Sequence, residues 1–120
     1  MAIAKLDVVV LDCPDPVALA GFYAGVLGGT VVEEADWVDL KLPGGGVALA
    51  FQAAQGFVPP EWPAPDHSQQ FHLDLTVDDM DAAEKEVLAL GARPLEADDR
   101  ERSFRVYADP AGHPFCLCRS

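Results

Sequence analysis

Leu27-Gly28-Gly29-Thr30-Val31-Val32-Glu33 returns later as Leu90-Gly91-Ala92-Arg93-Pro94-Leu95-Glu96. Both copies read leucine, glycine, a small residue, two variable positions, an aliphatic residue and glutamate. Each follows a helix-like stretch that opens on an aspartate, Asp15 in the first copy and Asp79 in the second. The two aspartate-to-glycine intervals differ by one residue. A repeat of this size is one supersecondary unit used twice. It predicts two similar modules that together enclose something.

Working outward from the repeat, each module reads the same way. Leu6 to Leu11 is apolar and β-branched, which predicts a strand. Asp12-Cys13-Pro14-Asp15-Pro16 breaks it. Asp15 suits a helix N-cap and Pro16 the first helical position. The helix runs to Leu27, with Val17, Ala20, Ala24 and Leu27 at helical spacing, and Gly28-Gly29 ends it. Strands follow at 30–34, 37–42 and 47–52, with a turn at Pro43-Gly44-Gly45-Gly46. In the second module 71–77 is a strand, and Asp78 or Asp79 caps a helix to Leu90. Met80, Ala83, Val87 and Leu90 share one face of that helix. Strands at 93–97, 103–108 and 114–118 complete the copy. Asp98 to Arg102 reads as a solvated loop, and Asp109-Pro110-Ala111-Gly112 as a tight turn.

The expected class is α+β, one domain built of two tandem β-α-β-β-β modules. Module one covers about 5–54 and module two about 69–118. The linker, about 55–68, holds Pro59, Pro60, Pro63 and Pro65 around Trp62, an extended connection.

At 120 residues the chain can bury one sizeable core. Half of it is hydrophobic and mean hydropathy is +0.11, which argues against disorder. A net charge of −12 argues against nucleic acid and suits cationic ligands. No apolar run approaches the ~20 residues of a membrane span. The first residues lack a signal-peptide core, so the expected location is cytoplasmic. Cys116 and Cys118 lie two apart on one strand, too far for an easy disulfide, and three reduced thiols fit that compartment.

Several of these segments resemble the vicinal oxygen chelate superfamily. That group includes glyoxalase I, extradiol dioxygenases, and fosfomycin and bleomycin resistance proteins. The resemblance is carried by Asp12-Cys13-Pro14-Asp15-Pro16, Phe22-Tyr23, Leu27-Gly28, the segment Phe71 to Asp79, and Asp109-Pro110-Ala111-Gly112-His113-Pro114. The chain looks most like the compact glyoxalase-like domains, over roughly residues 5–118. The resemblance implies modules whose mostly antiparallel sheets curl into a cup with helices outside. It implies a homodimer and a small molecule bound in the cup. In the enzymes of that group it implies a divalent metal held by His and Glu from the first and last strands of each module.

Aligned through Asp15 and Asp79, Val8 falls opposite His72, Val10 opposite Asp74 and Asp12 opposite Thr76. His72 matches the family's second-module histidine, but Val8 stands at the first-module ligand. The final glutamate falls at Cys116, and its first-module equivalent near Leu49 or Ala50. Only His72 and Cys116 would serve if a metal were present, with Asp74 adding an oxygen from the same face. No cofactor is therefore expected. A catalytic zinc needs about three protein ligands.

Along 71–77 the apolar residues alternate with His72, Asp74 and Thr76, so the polar set should line the concave face. His72 is the one candidate acid–base group. Asp12, Trp37, Phe51, Trp62, Phe104, Tyr107 and Cys116 complete the expected ligand-binding set, with the aromatics as walls for a flat molecule. The leading expectation is a metal-independent binder of an aromatic or cationic small molecule, similar to bleomycin resistance proteins that sequester a drug. The other is a lyase, isomerase or dioxygenase with an atypical metal site.

Overall fold

The computed structural model describes residues 2–3, 6–45, 48–60, 72–95 and 103–119. The expectations for Trp62, for most of the linker and for the loop at 98–102 fall outside these residues. The chain divides into two compact units, Met1–Phe57 and Val58–Ser120.

In the first unit the order is β1 (Val8–Cys13), α1 (Pro16–Leu27), β2 (Thr30–Glu34), β3 (Trp37–Lys41) and β4 (Ala48–Ala53). In the second it is β5 (Leu73–Val77), α2 (Met80–Leu90), β6 (Arg93–Pro94), β7 (Phe104–Ala108) and β8 (Pro114–Arg119). Both sheets are open and four-stranded, ordered β1-β4-β3-β2 and β5-β8-β7-β6. In each, the first strand pairs parallel with the last, and the remaining pairs are antiparallel. The fold is α+β, with the predicted β-α-β-β-β order in both units.

Local chemistry explains the matching starts and the differing stops. Asp15 accepts from the Ala18 amide and Asp79 from the Ala82 amide, both at 3.1 Å. Each side chain thereby satisfies one of the free donors at a helix start. Gly91 is left-handed, with its N–H on the Leu88 carbonyl and the Ala92 N–H on Val87. That is a Schellman ending, and it returns the chain at Ala92 to backbone any residue can adopt. Gly28 instead bonds Ala24, and Gly29 also has positive φ, +103°. The second glycine of the first copy is thus a requirement that Ala92 does not share.

The helix faces differ in part from the periodicity. In α1 the buried residues are Leu19, Ala20, Phe22 and Tyr23, while Val17 is exposed. This helix carries no charged side chain, so spacing alone leaves its inner face undetermined. Burial of the two aromatics decides it. In α2, Met80 and Val87 are buried as the pattern predicts, and Leu90 is exposed.

The core of the first unit lies between α1 and its sheet. Tyr23 stacks on Phe51 at 5.7 Å, and Leu11, Val38, Leu40 and Leu49 are buried beside them. The second unit's core is partly polar. Arg105 is buried and reaches Asp81 at 2.9 Å and Glu84 at 3.2 Å on α2. Tyr107 stacks on Phe115 and donates its hydroxyl to Glu84 at 2.7 Å.

Candidate functional site

Strand alternation sorts the expected site residues between two faces of each sheet. In the first unit, Phe51 lies under Tyr23 and so belongs to the helix side. Its ring is fully buried there and forms no wall on the other face. Asp12, Gln52 and Trp37 occupy one row across β1, β4 and β3, on the face turned away from α1. Val10, Ala50 and Asp39 form the next row. The Trp37 indole N–H donates to Asp39 Oδ1 at 3.0 Å. This bond fixes the half-buried ring and places a carboxylate at its edge. Asp39 was not among the residues expected from sequence. The Trp-x-Asp spacing, which puts both on one strand face, is the signal for it.

The second unit divides in the same way. Tyr107 is tied to α2 through Glu84, so it too lies on the helix side and is unavailable to the other face. By register, Phe104, Val106, Cys116 and Cys118 share the helix-free face with Asp74 and Thr76. His72, one residue ahead of β5, turns the same way. Its Nε2 lies 3.2 Å from Asp74 Oδ1. Asp74 pairs in register with Cys116. His72, Asp74 and Cys116 each bring one donor atom within 4.8 Å of the others. The His72 and Asp74 side chains are 32% and 65% exposed, so a small molecule can reach them, while Cys116 is buried. Burial, and next the Asp74 charge, push the neighbouring Cys118 thiol up from its ordinary pKa.

Chemically the cluster can do two things. The carboxylate can orient the imidazole for proton transfer or for a hydrogen bond to a ligand. The three donors can also serve as one nitrogen, one oxygen and one sulfur ligand. The first unit offers no counterpart. Val10 and Asp74 each precede their helix cap by five residues, and Val10 pairs with Ala50 as Asp74 pairs with Cys116. The equivalents of His72, Asp74 and Cys116 are therefore Val8, Val10 and Ala50. The first-module ligand positions that the resemblance implies therefore carry no metal donor. The three module-two donors could hold a zinc-class ion, and they match in number the protein ligands of an open zinc site.

A sequence model of the glyoxalase-like domain matches residues 8–118. The chain belongs to the glyoxalase-like domain family. It is thereby part of the vicinal oxygen chelate superfamily. No curated protein matches its sequence. Among solved structures it is similar to a glyoxalase/bleomycin resistance protein/dioxygenase family enzyme from Burkholderia phytofirmans PsJN. That likeness has a TM-score of 0.76 at 19% identity and covers 97% of this chain and 98% of the other. It is also similar to the fosfomycin resistance protein FosX from Mesorhizobium loti, with TM-score 0.70, 16% identity and coverage of 100% and 94%. A third is TnmS3, an antibiotic-binding protein from Streptomyces sp. CB03234, with TM-score 0.64, 18% identity and coverage of 99% and 98%. At these identities the likeness shows the fold alone. For this glyoxalase-like domain, no described helix is long and apolar enough to cross a membrane.

Proposed function

We propose that this glyoxalase-like domain is a small-molecule-binding protein of the bleomycin-resistance type, acting by sequestration and without the two-module metal of the superfamily's enzymes. The observation that carries the reading is that Val8 and Ala50, which cannot bind metal, stand at the first-module ligand positions, on sheet faces that keep ligand-type side chains. Trp37 held by Asp39, with Asp12 in the same row as the indole, suits a planar molecule bearing positive charge. His72, Asp74, Thr76 and Phe104 supply polar contacts and an apolar wall on the second unit's helix-free face. The chain's net charge of −12 favours the same class of ligand. Two relatives in fold, one named for fosfomycin resistance and one for antibiotic binding, support the reading. The proposed assembly is a cytoplasmic homodimer, whose subunit count sedimentation at micromolar concentration tests.

The test is titration calorimetry against bleomycin-type glycopeptides and planar aromatic amines. Binding of at least one, weakened about tenfold or more by Trp37→Ala, is expected; a single lost aromatic anchor commonly costs upwards of ~1.4 kcal/mol. Absence of heat across the panel at high micromolar concentration contradicts it.

One observation favours a second reading. The convergence of His72, Asp74 and Cys116 supports a lyase, isomerase or dioxygenase with an atypical site. A divalent ion held there would supply Lewis-acid polarisation of a bound oxygen; with no ion bound, His72 oriented by Asp74 would instead carry the proton. His72→Ala then abolishes turnover and leaves the fold intact. Unchanged turnover in that variant removes His72 from any mechanism.

A further inference from the structure

The superfamily resemblance implies a nitrogen and oxygen donor set, His and Glu, contributed by both modules. This chain departs from it in two ways at once. Among the described residues the converging donors all lie in the second unit, and one of them is sulfur.

We infer that the His72–Asp74–Cys116 cluster is a single-module site for a thiophilic, zinc-class divalent ion, and that it discriminates against magnesium and manganese. The inference goes beyond the binding proposal, because it concerns the ion alone and holds whether or not an organic ligand is found.

Geometry is the first support. Zinc binds imidazole nitrogen and carboxylate oxygen at roughly 2.0–2.2 Å and thiolate sulfur at roughly 2.3 Å, so tetrahedral donors stand roughly 3.4–3.7 Å apart. His72 Nε2 and Asp74 Oδ1 are already 3.2 Å apart. The sulfur completes a triangle whose sides are at most 4.8 Å. Closing it asks for a movement of roughly 1.1–1.4 Å at most, within the reach of a rotamer change at the two exposed side chains.

Placement is the second support. Asp74 and Cys116 are register partners on adjacent parallel strands, and His72 stands two residues before Asp74 on the same face. The backbone ladder thus holds the donors together without a loop. Cys118 pairs with Thr76 two residues further along the ladder and is not among the converging donors.

Donor chemistry is the third. Nitrogen, carboxylate and thiolate together match zinc and cobalt(II). Magnesium demands near-octahedral oxygen ligation and keeps its waters, and manganese likewise favours oxygen donors. Three protein ligands leave a fourth position open to solvent or a ligand oxygen.

The experiment uses the full chain, stripped with chelator and titrated separately with zinc, cobalt(II), manganese and magnesium. Native mass spectrometry follows stoichiometry after buffer exchange, and absorption spectra follow cobalt. One zinc or cobalt per chain is expected, with a thiolate-to-cobalt charge-transfer band, and no retained manganese or magnesium. Cys116→Ser should abolish the band. Changes merely adjacent to ligands cost about 10–100-fold in metal affinity, so loss of a ligand should weaken zinc by at least about 100-fold. His72→Ala, at an exposed position, should also release the ion and keeps the test decisive if the buried serine variant fails to fold. Cys118→Ser should keep both ion and band. No zinc retained by the native chain overturns the inference. So does manganese bound as tightly as zinc, or a cobalt band lost in Cys118→Ser and kept in Cys116→Ser.

Discussion

Asp109 does more structural work than its place in a surface turn suggests. Its carboxylate is buried and accepts from the Ala111 amide at 2.9 Å and the His113 amide at 3.0 Å. Its second oxygen lies 2.9 Å from His113 Nδ1. Asp109→Ala strands these donors, so we expect a loss of about 2–4 kcal/mol, read as a lower urea midpoint at unchanged slope. Asp109→Asn keeps an acceptor for the two amides and should lose less. A second prediction concerns the glycine pair at the end of the first helix. A Cβ on Gly29 would sit 2.4 Å from the Lys41 carbonyl oxygen, whereas one on Gly28 meets nothing nearer than 3.8 Å. Both have positive φ, so each alanine is strained, by about 1–2 kcal/mol. Gly29→Ala should be clearly the worse of the two in the same denaturation experiment. Both features were legible as residue types, a turn and a helix stop. Which glycine is indispensable was not, because that depends on the return of β3 beside it.

Among elements, the strands and helices were readable because hydrophobic period and capping residues agree. The Asp15 and Asp79 caps and the 30–34 strand fall where the pattern puts them. Face assignment was legible where polar and apolar residues alternate, as in β5, and failed where they do not. β7 reads Phe-Arg-Val-Tyr-Ala, and nothing in it says that Arg105 and Tyr107 turn toward α2. They do so because α2 presents Asp81 and Glu84 on its inner side, a pairing across more than twenty residues. This contact has a pH consequence. Burial, and then the hydrogen bond to Glu84, hold the Tyr107 hydroxyl above the ordinary tyrosine pKa. A raised folded-state value means full stabilisation below the unfolded value of about 10 and progressive loss as pH rises beyond it. Thermal melting of the native protein should therefore fall above that pH. Tyr107→Phe should start slightly less stable and show a shallower alkaline decline. An equally steep decline in the variant would place the titrating group elsewhere.

For the molecule as a whole, the repeat announced the architecture and the comparison of its copies announced what is missing. Val8 opposite His72 was visible in the sequence. Ala50 as the equivalent of Cys116 required the β1–β4 register, because a slip of one residue exchanges the two faces of a strand. The same register separates the candidates that reach the helix-free faces, Asp12, Trp37, His72, Asp74, Thr76, Phe104 and Cys116, from Phe51 and Tyr107 beneath the helices. Small molecules are proposed to be recognised on those faces. The most direct test is an NMR titration of the labelled protein with the tightest compound from the calorimetric panel, following side-chain resonances. The Trp37 indole N–H or the His72 ring should shift with occupancy, while the Phe51 and Tyr107 rings stay in place. Shifts confined to the outer surfaces of α1 and α2, with Trp37 and His72 unmoved, would contradict the account.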